Sequence, residues 1–142
     1  MSDEANGNGK RKVILLAEDD SVIRELLTAV LRTAGYDLVT ATDGVEAVEA
    51  FKTYGERVNL FLTDIGMPRM NGIEAIIVIR GMSQSLPIMI LSIWEENSYM
   101  KIAKQVNVKE YMKKPFDVNE LINKVKEILP EAGAPSPAEV PS

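Results

Sequence analysis

The sequence predicts an α/β fold, a doubly wound (βα)5 domain built on a five-stranded parallel sheet. Between Lys12 and Leu129, short apolar runs typical of strands alternate with segments whose apolar residues recur at helical spacing. This alternation is typical of a parallel sheet with helices packed on its faces. We therefore expect one domain at 12–129, with a disordered N-terminal segment at 1–11 and a flexible, proline-rich tail or linker at 130–142.

Five apolar runs are the predicted strands. They are Val13–Ala17, Asp37–Thr40, Asn59–Thr63, Ile88–Leu91 and Val108–Met112. Each run is short enough for a strand and is followed by a segment of helical period, so the chain reads as five βα units.

The helices between the strands carry recognisable ends. The first repeats apolar residues at helical spacing before Gly35, a residue suited to a left-handed helix end. The second is closed by Gly55, and the third follows the Asn71-Gly72 turn. The last begins at Asp117, where Glu120 three residues on predicts a capping box. The fourth, roughly Glu95 to Gln105, has the weakest pattern because polar residues interrupt it.

The composition excludes several kinds of chemistry. The 142 residues include no cysteine and no histidine, which excludes disulfides, thiolate or imidazole metal sites and histidine base catalysis. Any chemistry must use carboxylates, hydroxyls, lysine and backbone groups. A formal net charge of -5 argues against electrostatic attraction of the whole domain to nucleic acid.

The start of the chain and its apolar runs predict a cytoplasmic protein. The first twelve residues are polar and lack the apolar core of a signal peptide. The apolar runs elsewhere are too short to cross a bilayer. We therefore expect no association with a membrane and no direct binding of nucleic acid.

Chemically useful residues follow four of the five predicted strands. Glu18, Asp19 and Asp20 follow the first strand, Asp64 the third, Ser92 the fourth, and the Lys113-Lys114-Pro115 segment the fifth. In a parallel α/β sheet, the loops at the carboxyl ends of the strands form the binding crevice. The pattern therefore predicts a cluster of carboxylates, one hydroxyl and one ammonium at a single edge of the sheet.

A cluster of carboxylates at this edge favours a hard divalent cation. Carboxylates brought close together repel, and a cation relieves that repulsion. Magnesium prefers oxygen ligands, retains several waters and commonly uses one or two carboxylates together with phosphate oxygens. Asp19, Asp64 and the backbone carbonyl of Gly66 are sufficient to bind Mg2+, or Mn2+ in its place.

The same residues are suited to accepting a phosphoryl group. Phosphoryl transfer needs an in-line nucleophile and cations or donors around the phosphoryl oxygens. Asp64 is the candidate nucleophile, with the metal on one phosphoryl oxygen, Lys114 on a second, and Ser92 with backbone amides on the third.

At these residues the sequence resembles the receiver domain of bacterial response regulators. The segments LLAEDD, LTDIGMPRMNG, LS and YMKKPF occur in the order and at roughly the spacing of that family, over about Lys12 to Leu129. The phosphoacceptor motif of the family is matched by Asp64, Met67, Pro68, Asn71 and Gly72. The resemblance implies a flavodoxin-like fold, related to that of the chemotaxis regulators.

The resemblance also implies individual roles. Asp19 is a direct metal ligand, Glu18 acts through water, and Asp64 is the phosphoacceptor. Lys114, the lysine directly before proline, contacts the phosphoryl group, and its bond to that proline is commonly cis in this family. Ser92 is the switch hydroxyl and Tyr111 the aromatic that moves with it, although an aromatic residue in a strand is equally typical of core packing.

The resemblance further implies a two-component signalling protein rather than an enzyme with a substrate pocket. A sensor histidine kinase or a histidine phosphotransfer protein would phosphorylate it. The phosphorylation would switch the face formed by the fourth helix, the fifth strand and the fifth helix, toward an output domain or target protein that the sequence does not identify.

Two departures from the family pattern concern the surroundings of the crevice. Ile93 follows the switch hydroxyl, where the family usually has a small residue. Val106, Asn107 and Val108 replace a stretch of small residues before the fifth strand. Both departures bear on the shape of the phosphoryl pocket and on the lifetime of the acyl phosphate.

Two other classes of protein compete with this interpretation. Phosphotransferases similar to haloacid dehalogenases also use an aspartyl phosphate, but they typically need a second aspartate two residues after the nucleophile, where this chain has Gly66. A receiver that acts only as an interaction module typically lacks the acid pair, the acceptor or the lysine, and this sequence has all of them. Asp20 alone is more typical of a residue that stabilises a helix start.

Overall fold

The fold is a five-stranded parallel sheet with helices on both faces, as the sequence predicts. The computed structural model describes residues 11–93 and 100–130. The strands are β1 (Val13–Ala17), β2 (Asp37–Ala41), β3 (Val58–Thr63), β4 (Ile88–Ser92) and β5 (Glu110–Lys113). Their order across the sheet is β2-β1-β3-β4-β5, and all the pairings are parallel. The prediction of a flavodoxin-like doubly wound fold is confirmed.

In the described part of the chain, four helices and a short 3-10 turn connect the strands, and a fifth helix follows β5. They are α1 (Ser21–Thr33), α2 (Gly44–Tyr54), the 3-10 turn Gly55–Arg57, α3 (Gly72–Met82), α4 (Met100–Gln105) and α5 (Val118–Ile128). Gly35, just beyond α1, has a φ of 111° and Gly55 at the end of α2 a φ of 50°, so both glycines close helices as predicted.

The helices pack on the sheet through two separate apolar cores. On one face, α1 and α5 cover the sheet through buried residues that include Leu27, Leu31 and Leu121. On the other face, α2 and α3 bury residues that include Phe51, Ile76 and Ile79. The sheet between them is nearly continuous in apolar residues because both of its faces are covered. Its edges are therefore the places left for polar chemistry.

Short polar side chains begin the helices at the carboxyl edge of the sheet. Asp20, Asp43, Asn71 and Asp117 are the N-caps of α1, α2, α3 and α5, and each accepts hydrogen bonds from backbone amides of the first turn. The reciprocal capping box lies at α3, between Asn71 and Glu74, where the sequence prediction did not include it. At α5, Asp117 caps the Glu120 amide.

The fifth strand begins later than predicted, at Glu110 rather than at Val108. Asn107 adopts a left-handed conformation with a φ of 59°, and pairing with β4 starts at Glu110 opposite Met89. Val106 and Val108 are partly buried against the core under α2 and α3. Their apolar character therefore reflects packing beside the sheet, not membership of a strand.

Three other strands each differ from the sequence prediction by one residue at one bound, since β2 ends at Ala41, β3 begins at Val58 and β4 ends at Ser92. β4 includes Ser92, which pairs with Lys113 and is fully buried. On α1, the apolar stripe is wider than the core that it covers, since Val22 is 75% and Leu26 45% exposed. Helical spacing identifies a stripe of apolar residues but not how far the sheet extends beneath it.

Several predictions concern residues outside the described ranges. The first part of the predicted fourth helix, from Glu95, lies there, as do residues 1–10 of the predicted N-terminal segment and residues 131–142 of the predicted tail. Among the described helices, none has the length and apolar character that crossing a bilayer requires.

The Tyr36 hydroxyl provides a test of how the last helix is held. The Tyr36 side chain is fully buried, and its hydroxyl donates to the Leu129 carbonyl at 2.8 Å, while burial raises the pKa of Tyr36 to about 12. We expect Tyr36→Phe to lower the free energy of unfolding by about 1–2 kcal/mol, because it leaves the buried Leu129 carbonyl without its donor. Urea denaturation measures this loss. Tyr54→Phe, at a more exposed tyrosine, is the control, and equal unfolding free energies in the two variants would contradict the assignment.

Candidate functional site

Four neighbouring strands, β1, β3, β4 and β5, bring the predicted site residues to one edge of the sheet. Glu18 and Asp19 follow β1, and Asp64 follows β3, which pairs directly with β1 through Ala17 opposite Thr63. The backbone amide of Asp64 donates to the Ala17 carbonyl at 3.0 Å, which carries the strand pairing into the site. The acidic segment after β1 and Asp64 are therefore set side by side by the register of the sheet.

The three carboxylates form one compact group. Glu18, Asp19 and Asp64 each offer an oxygen, and these oxygens lie within 4.8 Å of one another. Glu18 is 1% and Asp64 8% exposed, whereas Asp19 is exposed to solvent. The group therefore opens to solvent on the Asp19 side. An all-oxygen set with an open side is suited to a hard divalent cation such as Mg2+.

Lys114 supplies the positive charge of the site. Its Nζ lies 2.8 Å from Glu18 Oε1 and 3.3 Å from Asp64 Oδ2, with only 9% of the side chain exposed. Burial by itself would lower the lysine pKa, but the hydrogen bond to Glu18 and the Asp64 charge outweigh it, so the pKa of Lys114 is raised. Lys113, the preceding residue, is exposed, and the Lys114–Pro115 peptide bond is cis.

The pKa of Glu18 is raised above its ordinary value. Burial is the main cause, and the nearby Asp64 charge adds to it, while the hydrogen bonds from Lys114 and from the Asp20 amide act in the opposite direction. One ammonium therefore does not compensate fully for the buried carboxylates. A divalent cation between the carboxylates would offset the cost of burying their negative charges.

Asp64 is held on both sides by its surroundings. Its Oδ1 accepts from the Ile65 amide at 2.7 Å, and its backbone carbonyl accepts from the Thr63 hydroxyl at 2.7 Å. Gly72 approaches closely: its amide donates to the Ile65 carbonyl at 2.8 Å, and a Cβ at this position would lie 1.9 Å from the Asp64 carbonyl oxygen. The glycine of the motif is therefore required by this close contact.

The remaining predicted residues surround this centre. Ser92 is buried at the end of β4, and its carbonyl accepts from the Lys114 amide at 2.8 Å. Tyr111 lies in β5, partly buried against the core under α2 and α3. Gly66 is exposed in the loop after Asp64, and Ile93 is 64% exposed.

Sequence reasoning missed three charged residues that organise the loops of the site. Arg24 donates to the Glu18 carbonyl at 2.9 Å and to the Asp19 carbonyl at 3.4 Å, which ties the acidic segment to α1. Arg69 donates from Nε to Asp43 Oδ2 at 2.6 Å. Arg69 and Asp43 are 26 positions apart on separate elements, so no spacing in the sequence indicates their contact. Arg24 lies only six positions after Glu18, so this contact is local in the sequence and could have been predicted.

The comparisons with known proteins agree with this geometry. The family model described as "Response regulator receiver domain" matches residues 14–126. The "Transcriptional regulatory protein CpxR homolog" of Haemophilus influenzae is 35% identical over 123 residues, which cover 87% of this chain and 52% of that protein. The chain therefore spans about half the length of this curated relative.

Solved structures show the same fold. The chemotaxis protein CheY4 of Vibrio cholerae is 26% identical with a TM-score of 0.77, and the match covers 84% of this chain and 99% of that one. A CheY-like receiver domain protein from Methanospirillum hungatei is 25% identical with a TM-score of 0.78, over 87% and 97% of the two chains. Receiver domains are phosphoacceptor signalling domains rather than enzymes acting on a separate substrate. The chain belongs to the response regulator receiver domain family.

Proposed function

We propose that this receiver domain accepts a phosphoryl group on Asp64, in the presence of Mg2+ or Mn2+, from a sensor histidine kinase or a histidine phosphotransfer protein. The contact of Lys114 with both Glu18 and Asp64, beside the oxygen of Asp19, is the observation that supports it most. We also propose that the domain spans 12–129, that the protein works in the cytoplasm, and that it acts through an output domain or a separate target protein.

The metal would be bound by Asp19, Asp64 and the Gly66 carbonyl, with Glu18 acting through water. A bound divalent cation would lower the repulsion among the carboxylates and stabilise negative charge on a phosphoryl oxygen. The donor set supports this assignment, because it consists of oxygens alone and is partly open to solvent.

Transfer to Asp64 requires one bond to form as another breaks. A carboxylate oxygen of Asp64 attacks the phosphorus of a phosphohistidine in line, and the phosphorus–nitrogen bond electrons leave with the imidazole. Lys114 is close enough to Asp64 for its ammonium to bind an oxygen of the arriving phosphoryl group. The product is an acyl phosphate, which water later hydrolyses to regenerate the carboxylate.

Ser92 and Tyr111 would report the phosphoryl group to the face formed by α4, β5 and α5. Ser92 ends the strand next to β5, and its carbonyl is bonded to the Lys114 amide. Tyr111 lies on β5 opposite Ile90. A shift of the Ser92 hydroxyl toward the phosphoryl group would therefore act on the strand that carries both Tyr111 and Lys114.

The exposed apolar residues of α1 support docking of a protein phosphodonor. Val22 and Leu26 are one helical turn apart and exposed, and α1 begins directly after the acidic segment of the site. A histidine-bearing helix packed there would bring its phosphohistidine close to Asp64. Exposed apolar side chains next to a reactive group are typical of a binding surface.

The identity of the phosphorylated residue can be tested with a small-molecule donor. We expect acetyl phosphate with Mg2+ to add a single phosphate to the protein and Asp64→Asn to abolish the addition, because Asp64 both contacts Lys114 and is a proposed direct metal ligand, whereas Glu18 would act on the metal through water. Intact-mass spectrometry measures the addition. Asp20→Asn is the control, since asparagine also caps helices well. Stoichiometric formation of an acyl phosphate on the Asp64→Asn variant would contradict the assignment of Asp64 as the phosphorylated residue.

Lys114 and Lys113 provide a matched pair for the role of the ammonium. We expect Lys114→Ala to reduce the response of Ser92 and Tyr111 amide resonances to beryllium fluoride with Mg2+, a mimic of the acyl phosphate, because the phosphoryl oxygens lose their cation. Lys113→Ala, at the exposed neighbour, should respond like the unmodified protein. Amide NMR spectra measure both, and equal effects would contradict the register of the site.

Asp19 is the exposed acid of the metal group. We expect Asp19→Asn to weaken Mg2+ binding by roughly tenfold or more, since loss of even an outer partner of a metal ligand commonly costs about 10- to 100-fold. Isothermal titration calorimetry gives the dissociation constants. Asp20→Asn makes the same change of charge one residue away and should bind Mg2+ nearly as the unmodified protein does. Equal affinities in the two variants would remove Asp19 from the ligand set.

A further inference from the structure

The loop between β3 and α3 is tied to the start of α2 by two contacts. The Gly44 amide donates to the Met70 carbonyl at 2.8 Å, and Arg69 Nε donates to Asp43 Oδ2 at 2.6 Å. The approach is close enough that a Cβ on Gly44 would lie 2.4 Å from the Met70 carbonyl oxygen. This loop carries Gly66, whose carbonyl is the backbone ligand of the proposed metal site.

The Arg69–Asp43 ion pair joins a residue with an unusual backbone conformation to a buried carboxylate. Arg69 has a φ of 65°, in the left-handed region, which is disfavoured for a residue with a Cβ. Asp43 is 4% exposed, while 59% of the Arg69 side chain remains accessible. An exposed arginine in a disfavoured conformation, reaching a buried carboxylate, indicates that the contact compensates for the backbone cost.

The Asp43 carboxylate contacts both α2 and the loop between β3 and α3. Asp43 Oδ1 accepts from the Glu46 amide at 2.8 Å and caps α2, while Oδ2 accepts from Arg69. Burial alone would raise the Asp43 pKa, but the hydrogen bond from Arg69 and those from α2 amides outweigh it, so the pKa is lowered. The pair is therefore ionised at neutral pH.

Other contacts hold the two neighbours of Gly66 in this loop. The Gly72 amide holds the Ile65 carbonyl, and Met67 is buried in the core under α2 and α3. Gly66 lies between these two anchored residues and is exposed. The direction of its carbonyl depends on how both neighbours are held, and Arg69 and Met70, which follow Met67, tie that side of the loop to the start of α2.

We propose that the Arg69–Asp43 pair is a positioning device, which holds the loop so that the Gly66 carbonyl faces the metal and thereby sets the Mg2+ affinity of the site. This inference rests on the proposed function, because it requires the metal to bind at Asp19, Asp64 and Gly66. Neither Arg69 nor Asp43 touches the metal in this scheme.

If the two residues acted on Mg2+ affinity only through their charges, the two substitutions would change the affinity in opposite directions. Arg69 is a cation near the site and Asp43 an anion, so through their fields alone Arg69→Gln would tighten Mg2+ binding and Asp43→Asn would weaken it. Positioning predicts that both substitutions weaken binding. It also predicts that the double variant is little weaker than either single one, because the two residues act as one unit.

Matched controls make the same changes of charge far from the site. Asp37→Asn removes the partner of Arg11, 3.2 Å away, at the start of β2. Arg57→Gln removes a guanidinium that lies 5.0 Å from the centre of the Tyr54 ring, just before β3. Both positions are at the opposite end of the sheet, roughly 20 Å from Asp64 at about 3.3 Å per strand residue. In Asp43→Asn, asparagine retains an acceptor for the helix cap.

The experiment measures Mg2+ dissociation constants of the full chain by titration calorimetry, with thermal melts to confirm folding. We expect about a three- to tenfold increase for Arg69→Gln, for Asp43→Asn and for the double variant, and less than about twofold for the controls. The rate of acetyl phosphate uptake should fall at low Mg2+ and recover at saturating Mg2+, a recovery that general loss of structure would not give.

Two results would overturn the inference and a third would overturn its basis. Unchanged or tighter Mg2+ binding in Arg69→Gln would exclude positioning, and so would losses in the double variant equal to the sum of free-energy losses in the single ones. Failure of the unmodified chain to bind Mg2+ would refute the proposed function itself, and the inference with it.

Discussion

The burial of two carboxylates beside a single ammonium is the constraint on which this domain depends. Glu18 and Asp64 are almost fully buried, and Lys114 lies within hydrogen-bond distance of both. Buried charges are costly unless they are paired, and removal of one partner typically costs several kcal/mol. The parallel register that sets Ala17 opposite Thr63 leaves the two acids no way to separate. The site is therefore built into the sheet rather than added to its loops.

The loops around this centre are fixed by contacts that use few side chains. Gly72 packs directly against the Asp64 carbonyl, and Gly44 against that of Met70, so two glycines bring backbone next to backbone where a side chain would not fit. Arginines then hold carbonyls or carboxylates at the loop surfaces: Arg24 after β1, and Arg69 after β3. Together these contacts allow short loops to hold their shape without a large core of their own.

The sequence predicts most of this architecture because its signals are local. The bounds of β1 match the prediction residue for residue, and Lys114 rather than Lys113 meets the acids. The predicted start of β5 at Val108 was wrong because Val106 and Val108 are apolar for packing beside the sheet. The left-handed conformation of Asn107 precedes the observed start of the strand. The Arg69–Asp43 contact could not be predicted, since it depends on the meeting of two loops that only the folded sheet brings together.

The formal charges at the centre support the proposal that a divalent cation and a phosphoryl group bind here together. Three carboxylates and one ammonium leave two negative charges, and the pKa of Glu18 is raised, mainly by burial and further by the nearby Asp64 charge. A bound divalent cation would bring the total to zero, which makes the approach of an anionic phosphoryl group possible. If Asp64 is phosphorylated as proposed, the total would again be negative by one charge, and Lys114 would have a phosphoryl group as its partner in place of a carboxylate. Under the proposed function, Lys114 would exchange its contacts with Glu18 and Asp64 for phosphoryl oxygens, and this change of partners would favour one conformation of the domain over another.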